Sequence, residues 1–184
     1  MRYPAEQTAA RHERILREAS KLFRQRGLNG VSVPEIMKAA RLTHGPFYNH
    51  FASKDALVAE SVDRAMGAML QDLLASGGSK AARRRFLDAY LSPRHRDNPG
   101  DGCAVAALAS DVSRSPAAKA PFTRRLKDIL SATAAKFTAA REGRDARAEA
   151  IKLTSLIVGA LILARAVDDN ELSEEILAQV RADL

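Results

Sequence analysis

Apolar residues recur at the three- and four-residue spacing of an α-helix along nearly the whole chain, and glycine, proline and polar turn residues separate the runs. No convincing period-two alternation, the pattern of a half-buried strand, interrupts them. The sequence therefore predicts an all-α fold of about nine helices. The content of 46% apolar and 28% charged residues is typical of a folded globular chain.

Turn and capping residues predict where the helices begin and end. Gly27 ends a first amphipathic helix of three to four turns, and Ser32 with a glutamate three residues on forms a capping box before the second. Thr43 can cap a very short third helix, and Ser53 a fourth. From the third onward, helices are expected at about 44–50, 54–75, 80–91, 103–114, 118–141, 145–168 and 172–183. The stretch 92–102, between the helices expected at 80–91 and 103–114, is rich in helix breakers and charge and is expected to be a mobile surface loop.

Positive charge is concentrated in the first third of the chain. Residues 1–54 carry ten Lys or Arg against four Glu, a net charge of +6, whereas residues 55–184 carry 19 against 18. Such an excess raises the local concentration of a polyanion, and nucleic acid is the natural candidate. Taken alone, the same charges could simply solvate a helix face.

The second and third helices, joined by a tight turn, have the proportions of a helix-turn-helix. Phe47 and Phe51, four residues apart, are expected to face inward. The residues suited to base edges or thymine methyl groups are His44, Gly45, Pro46, Tyr48 and Asn49. Those suited to phosphate oxygens are Thr43, Tyr48, His50 and Lys54.

A resemblance to the DNA-binding signature of the TetR family covers residues 11–57. It rests on THGPFYNHFASKDAL at 43–57 and on SVPEIMKAA at 32–40. Pro46 departs from the family pattern, where Thr, Ser, Ala or Gly is more common, so a hydroxyl contact to phosphate is in doubt there. The resemblance implies a three-helix DNA-binding domain at 1–53 and a helical effector-binding and dimerisation domain at 54–184. It also implies a repressor released from a palindromic double-stranded DNA operator by a small-molecule effector.

The helix expected at 145–168 is apolar on nearly all sides, so it must be covered by two partners. With the last helix it would form a four-helix homodimer interface within residues 145–184; the alternative is packing inside one subunit. Candidate effector-binding residues are Phe86, Tyr90, Cys103, Ala107, Phe122, Leu126, Leu130, Phe137 and Leu156. They favour an apolar effector, although the same residues at helical spacing also suit ordinary core.

Cys103 follows a glycine at an expected helix start, a position that can lower the pKa of a thiol. Its surroundings resemble a subgroup of the family in which such a cysteine is linked to electrophile or oxidant sensing. An electrophilic effector is therefore a second interpretation. The alternative is a small buried core residue.

Other classes of protein find little support in the sequence. No recognised metal spacing, phosphate-cradling glycine loop or nucleophile motif is present, so neither an enzyme nor a cofactor is expected. A DNA-packaging or adaptor protein without an effector is the remaining alternative. The longest uncharged apolar stretch, 153–164, is too short to cross a bilayer, so no membrane partner is expected. The lone cysteine and the lack of an export signal favour the cytoplasm.

Overall fold

A computed structural model describes residues 5–43, 45–137 and 144–184, and every regular element in these ranges is helical. The described ranges hold nine α-helices and one 3₁₀ helix: α1 (Ala5–Arg26), α2 (Val33–Ala39), η1 (Gly45–Asn49), α3 (Lys54–Ala75), α4 (Lys80–Tyr90), α5 (Pro93–Asp97), α6 (Ala104–Ser113), α7 (Pro116–Phe137), α8 (Arg144–Ala166) and α9 (Asn170–Ala182). The prediction of an all-α fold is confirmed.

Most helix boundaries agree with those predicted, and the differences have local causes. The bounds of α3 are confirmed, with the Ser53 hydroxyl accepting a hydrogen bond from the amide of Ala56 at 3.0 Å. Helix α1 has 22 residues and is longer than predicted, because the alanine, glutamate and glutamine residues at its start are good helix formers. The third helix is a 3₁₀ helix, and α7 begins at Pro116, since proline is favoured at the first helical position.

The stretch 92–102 is not the mobile loop that its breakers predict, because α5 occupies its first half. The imidazole of His95 donates to the carbonyl oxygen of Tyr90 at 2.6 Å and accepts from the amide of Cys103 at 2.9 Å. Burial lowers the pKa of His95, which suits this neutral ring. Arg165 of α8 donates to two carbonyl oxygens of α5, each at 2.9 Å. Arg165 lies about 70 residues further along the chain, so local composition does not reveal its contact with α5.

The apolar core is continuous from the first helix to the last. Helix α1 packs on α2 and α3, α3 lies along α7, and α8 packs between α7 and α9. The buried cluster includes Ile15 in α1, Ile36 in α2, Leu57 in α3 and Leu177 in α9. Helix α3 therefore connects the N-terminal helices to the remainder of the chain through a single core.

None of the helices in the described ranges combines the length and the hydropathy that a membrane span requires.

The start of α2 is a charged capping box. The Ser32 hydroxyl oxygen accepts from the Glu35 amide at 3.4 Å, and the Glu35 carboxylate accepts from the amide and the hydroxyl of Ser32 at 2.8 and 2.7 Å. Arg26 donates to the same carboxylate at 2.9 Å. The hydrogen bonds from Ser32, followed by that from Arg26, lower the pKa of Glu35 from 4.5 to about 2.

Glu35→Gln should make the free energy of unfolding less dependent on pH below about 4.5. Because the pKa of Glu35 is depressed on folding, its ionised form stabilises the fold above pH 4.5, and that contribution is lost as pH falls towards 2. Glutamine is also accepted in a capping box but carries no charge. We expect the free energy of unfolding in urea to fall more steeply between pH 4.5 and 2 in the wild type than in the variant. Equal slopes would contradict this assignment.

Candidate nucleic-acid interface

The short helix η1 is held in place by two phenylalanines on one side. Phe47 and Phe51 are 1% and 2% exposed, and their rings stack at 5.7 Å between centroids. Phe51 also stacks on His12 of α1 at 4.5 Å, and Ile36 of α2 is fully buried in the same cluster. The prediction that both phenylalanines face inward is confirmed. The opposite side of η1 is more exposed, and its Tyr48 ring meets the Phe47 ring edge-on at 5.1 Å between centroids.

That opposite side carries most of the residues predicted to face DNA. Tyr48 is 69% exposed. Thr43, Gly45 and Asn49 are also exposed, whereas Pro46 is half-buried. His44, the remaining predicted base contact, lies outside the described residues.

Gly45 begins η1 at a position where the chain itself does not require glycine. Apart from its two chain neighbours, a Cβ atom built on Gly45 meets no heavy atom of the described residues within 4 Å, and its φ is not positive. The residue therefore leaves open space in front of the backbone. Such space allows another molecule to approach the backbone closely.

The two remaining predicted phosphate contacts are half-buried. His50 follows η1, with its ring 6.1 Å from that of His12. Burial, and secondarily the charges of His12 and Arg11, lowers the pKa of His50, so the ring is neutral near pH 7 and keeps one N–H donor. Lys54 is the first residue of α3, where free backbone amides also attract an anion.

Ion pairs take up part of the positive charge of the first 54 residues. The pairs include Arg17–Glu18 at 3.1 Å, Lys21–Asp101 at 3.3 Å and Arg26–Glu35 at 2.9 Å. Lys38, Arg41 and Lys54 have no ion-pair partner among the described residues. These three cations flank η1 in sequence, so the chain segment around η1 carries positive charge that no ion pair among the described residues takes up.

Helix α6 is joined to the end of α1 by a carboxylate that the sequence does not single out. Asp111 accepts a hydrogen bond from the amide of Leu28 at 2.8 Å. Gly27, at φ 77°, ends α1 beside it, and a Cβ there would lie 2.6 Å from the Asp111 oxygen. Both the backbone conformation and the available space therefore require glycine at position 27. This contact connects the N-terminal helices to the second half of the chain.

A small apolar cavity lies between α3, α4, α7 and α8. Its volume is about 20 Å³, and its lining consists of Met69, Leu73, Phe86, Tyr90, Ile129, Thr133, Phe137, Leu153, Thr154, Ile157 and Val158. A cavity of this volume holds about one water molecule, whereas sites for drug-sized ligands have roughly 300–1,000 Å³. The cavity is therefore closed to such a ligand in this conformation.

The structure brings some of the predicted effector-binding residues to this cavity and leaves others apart. Phe86, Tyr90 and Phe137 line it. Leu130 is buried, and Ala107, Phe122 and Leu126 are half-buried against the core, but none of these four lines the cavity. Leu156 is 43% exposed and points away. Sequence reasoning missed most of the lining from α3 and α8, where helical spacing does not distinguish a cavity wall from ordinary core.

Cys103 is a core residue beside this cavity in the present conformation. The side chain is 3% exposed, and its Sγ lies 3.8 Å from the sulfur of Met69, which lines the cavity. Burial raises the pKa of the Cys103 thiol, the opposite of the shift that a reactive thiolate requires. Burial likewise raises the pKa of Tyr90, and no described residue lies within hydrogen-bond distance of its hydroxyl.

Comparison with known proteins identifies the N-terminal segment. Residues 15–61 match the family model described as bacterial regulatory proteins, tetR family. The HTH-type transcriptional regulator TcmR of Streptomyces glaucescens is 27% identical over 138 residues, which cover 72% of this chain and 61% of that protein. The HTH-type transcriptional repressor NemR of Escherichia coli K12 is 30% identical over 105 residues, covering 54% of this chain and 53% of that protein. The chain thus spans less than two thirds of the length of these relatives.

The similarity of fold extends over nearly the whole chain. The crystal structure of the reduced form of E. coli NemR superposes with a TM-score of 0.77 at 23% sequence identity. The alignment covers 94% of this chain and 96% of that one. The two proteins share their fold through the second half of the chain, where the family model does not match.

Proposed function

Because this chain belongs to the TetR family of bacterial regulatory proteins, we propose that it is a transcriptional repressor that binds a palindromic DNA operator as a homodimer. A small apolar molecule would release it. The relatives are transcriptional regulators rather than enzymes. The observation that carries the proposal is η1, which is fixed by buried Phe47 and Phe51 and exposed on its other side. Within the described ranges, the cations that flank it in sequence have no ion-pair partner. Such a protein would act in the cytoplasm, where bacterial DNA lies.

In the proposed complex, each η1 enters a major groove, and the two helices of a dimer lie about 34–36 Å apart in successive grooves. The residues assigned to base edges and methyl groups are His44, Gly45, Pro46, Tyr48 and Asn49. The residues assigned to phosphates are Thr43, Tyr48, His50 and Lys54. The exposed side of η1 supports the first assignment, and the helix N-terminus and free charge at Lys54 support the second.

Gly45→Ala should separate DNA binding from stability. The added methyl meets no described residue other than its chain neighbours, so the melting temperature should change by no more than about 2 °C. In the complex it would stand between the backbone and the bases, and we expect about tenfold or greater loss of affinity. The measurement is fluorescence anisotropy with a duplex that the wild type selects from random DNA. Wild-type affinity in Gly45→Ala would contradict the assignment.

The same titration distinguishes the proposal from a DNA-packaging role, with Lys54→Ala as the phosphate control. A specific repressor should prefer the selected palindrome over scrambled DNA by about 10³-fold or more. Lys54→Ala should weaken binding to both duplexes and reduce the salt slope by about 0.9 for each lost phosphate contact. Equal wild-type affinity for both duplexes would favour packaging.

Exposed apolar side chains on α8 and α9 support a dimer. Five large ones are 41–57% exposed: Ile151, Leu156, Ile162, Leu163 and Leu172. At 3.6 residues per turn, the four on α8 lie on one side of the helix, and Gly159 lies near the middle of that side. Beyond the adjacent turns of α8 itself, a Cβ at Gly159 would meet no described atom within 4 Å, so a second copy of α8 could approach closely there.

Leu163→Glu should yield a monomer. A carboxylate in the middle of an apolar interface must be desolvated without a partner, which costs several kcal/mol. We expect sedimentation equilibrium to report half the wild-type mass and operator affinity to fall with it. Leu74→Glu is the matched control, because Leu74 is 45% exposed on α3, away from the proposed interface. A dimeric Leu163→Glu variant would rule out this interface.

Effector binding is proposed for the cavity between α3, α4, α7 and α8. Because the cavity is closed, an apolar ligand must displace these helices to enter. Two connections would carry that displacement to the DNA surface. Helix α3 lines the cavity with Met69 and begins at Lys54, and α6 holds the Leu28 amide through Asp111.

A screen of small apolar molecules tests this release mechanism. A ligand of the cavity should raise the melting temperature of the free protein, because it binds the folded state, and should lower operator occupancy. Release should persist in Cys103→Ser, because the proposed contacts are non-covalent. Loss of release in that variant would instead identify the thiol as the target of an electrophile. A ligand that stabilises the protein without displacing DNA would contradict the proposed coupling.

A further inference from the structure

The turn between α2 and η1 places an arginine where glycine is the usual residue. The Arg41 amide donates to the Lys38 carbonyl oxygen at 3.0 Å, and the Leu42 amide donates to that of Met37 at 2.9 Å. This pair of hydrogen bonds is the Schellman motif, in which the residue after the helix cap takes a left-handed conformation. Arg41 has φ 54° and is the only non-glycine residue with positive φ in the described parts of the chain.

The backbone at Arg41 is strained, and its side chain makes no polar contact with the described residues that would compensate for the strain. A Cβ atom in the left-handed region is unfavourable, whereas glycine adopts it freely. Arg41 is exposed, and among the described residues its guanidinium has neither an ion-pair nor a hydrogen-bond partner. Folding alone would therefore favour glycine at position 41.

The position of Arg41 relates it to the proposed DNA surface. Leu42 is half-buried and packs against the core, whereas Arg41 and Thr43, on either side of it, are exposed. Two residues span at most about 7 Å of chain, and phosphates on one DNA strand recur about every 3.4 Å along the helix axis. A protein that sets Thr43 against one phosphate therefore brings Arg41 within reach of a neighbouring one.

We infer that Arg41 is a phosphate-contacting residue of the operator complex, and that DNA binding is the reason the turn carries arginine rather than glycine. The inference rests on the proposed DNA-binding function and adds a residue to it. The guanidinium fork matches two phosphate oxygens, which strengthens the contact and sets the orientation of the turn on the DNA backbone. The contact reads no base, so it contributes equally on any sequence.

Arg41→Gly tests the inference, because it should improve folding and impair binding. We expect the melting temperature to rise by about 2–4 °C as the strain is removed. Affinity at 0.1 M salt should fall about tenfold for both the selected duplex and a scrambled one, and the salt slope should decrease by about 0.9 for each protomer. Arg41→Lys should retain most of the affinity without the gain in stability. Arg85→Ala, which removes one exposed cation from α4, should bind as the wild type does.

Two results would overturn the inference while leaving DNA binding intact. In the first, Arg41→Gly is more stable but keeps wild-type affinity and salt slope on both duplexes. In the second, Arg41→Gly is less stable than the wild type, which would show that arginine serves the fold itself. A wild-type protein that binds neither duplex would instead refute the proposed function, and the inference with it.

Discussion

Burial of Phe47 and Phe51 beneath η1 is the interaction on which the proposed DNA surface depends. A five-residue 3₁₀ helix has too few hydrogen bonds to persist alone. Each buried phenylalanine contributes about 1.5–3 kcal/mol, so packing on α1 and α2 supplies the stability that the backbone lacks. The same packing orients Tyr48 and Asn49 outward on a rigid support. Because the backbone of η1 is already fixed, binding has to order only these side chains and not the chain that carries them.

Helix α3 connects the helices around η1 to the apolar cavity. It is 22 residues and about 33 Å long, with Lys54 at the proposed DNA surface, Leu57 in the core below η1 and Leu73 at the apolar cavity. In the proposed release, this continuous helix would carry a displacement from the cavity to the proposed DNA surface. Asp111 adds a second connection through α6. The N-terminal helices and the cavity thus share structural elements rather than a flexible linker.

Sequence reasoning succeeded where short-range chemistry decides the structure. The capping box at Ser32, the cap at Ser53 and the four-residue spacing of the two phenylalanines all depend on neighbours within one or two turns. It failed for the stretch 92–102, where Arg165 and the ring of His95 order a segment whose composition is that of a loop. The Arg165 contacts join residues about 70 positions apart in the chain and leave no local pattern.

In helix α8, local sequence predicts the helix, but only distant contacts determine which residues face the cavity. Its apolar residues predict a buried helix whichever side is considered, so the sequence could not assign Leu156 to the cavity or to the outer face. Packing against α7 and α9 decides its rotation, which turns Leu153 and Ile157 to the cavity and leaves Leu156 exposed. The left-handed backbone at Arg41 likewise emerges only from the folded turn. Local sequence is sufficient to specify the helices and the outward side of η1, because spacing and capping act within a few residues. Only the tertiary structure determines the apolar cavity, the contact between Asp111 and Leu28 and the strained backbone at Arg41, because these depend on which parts of the chain meet in the fold.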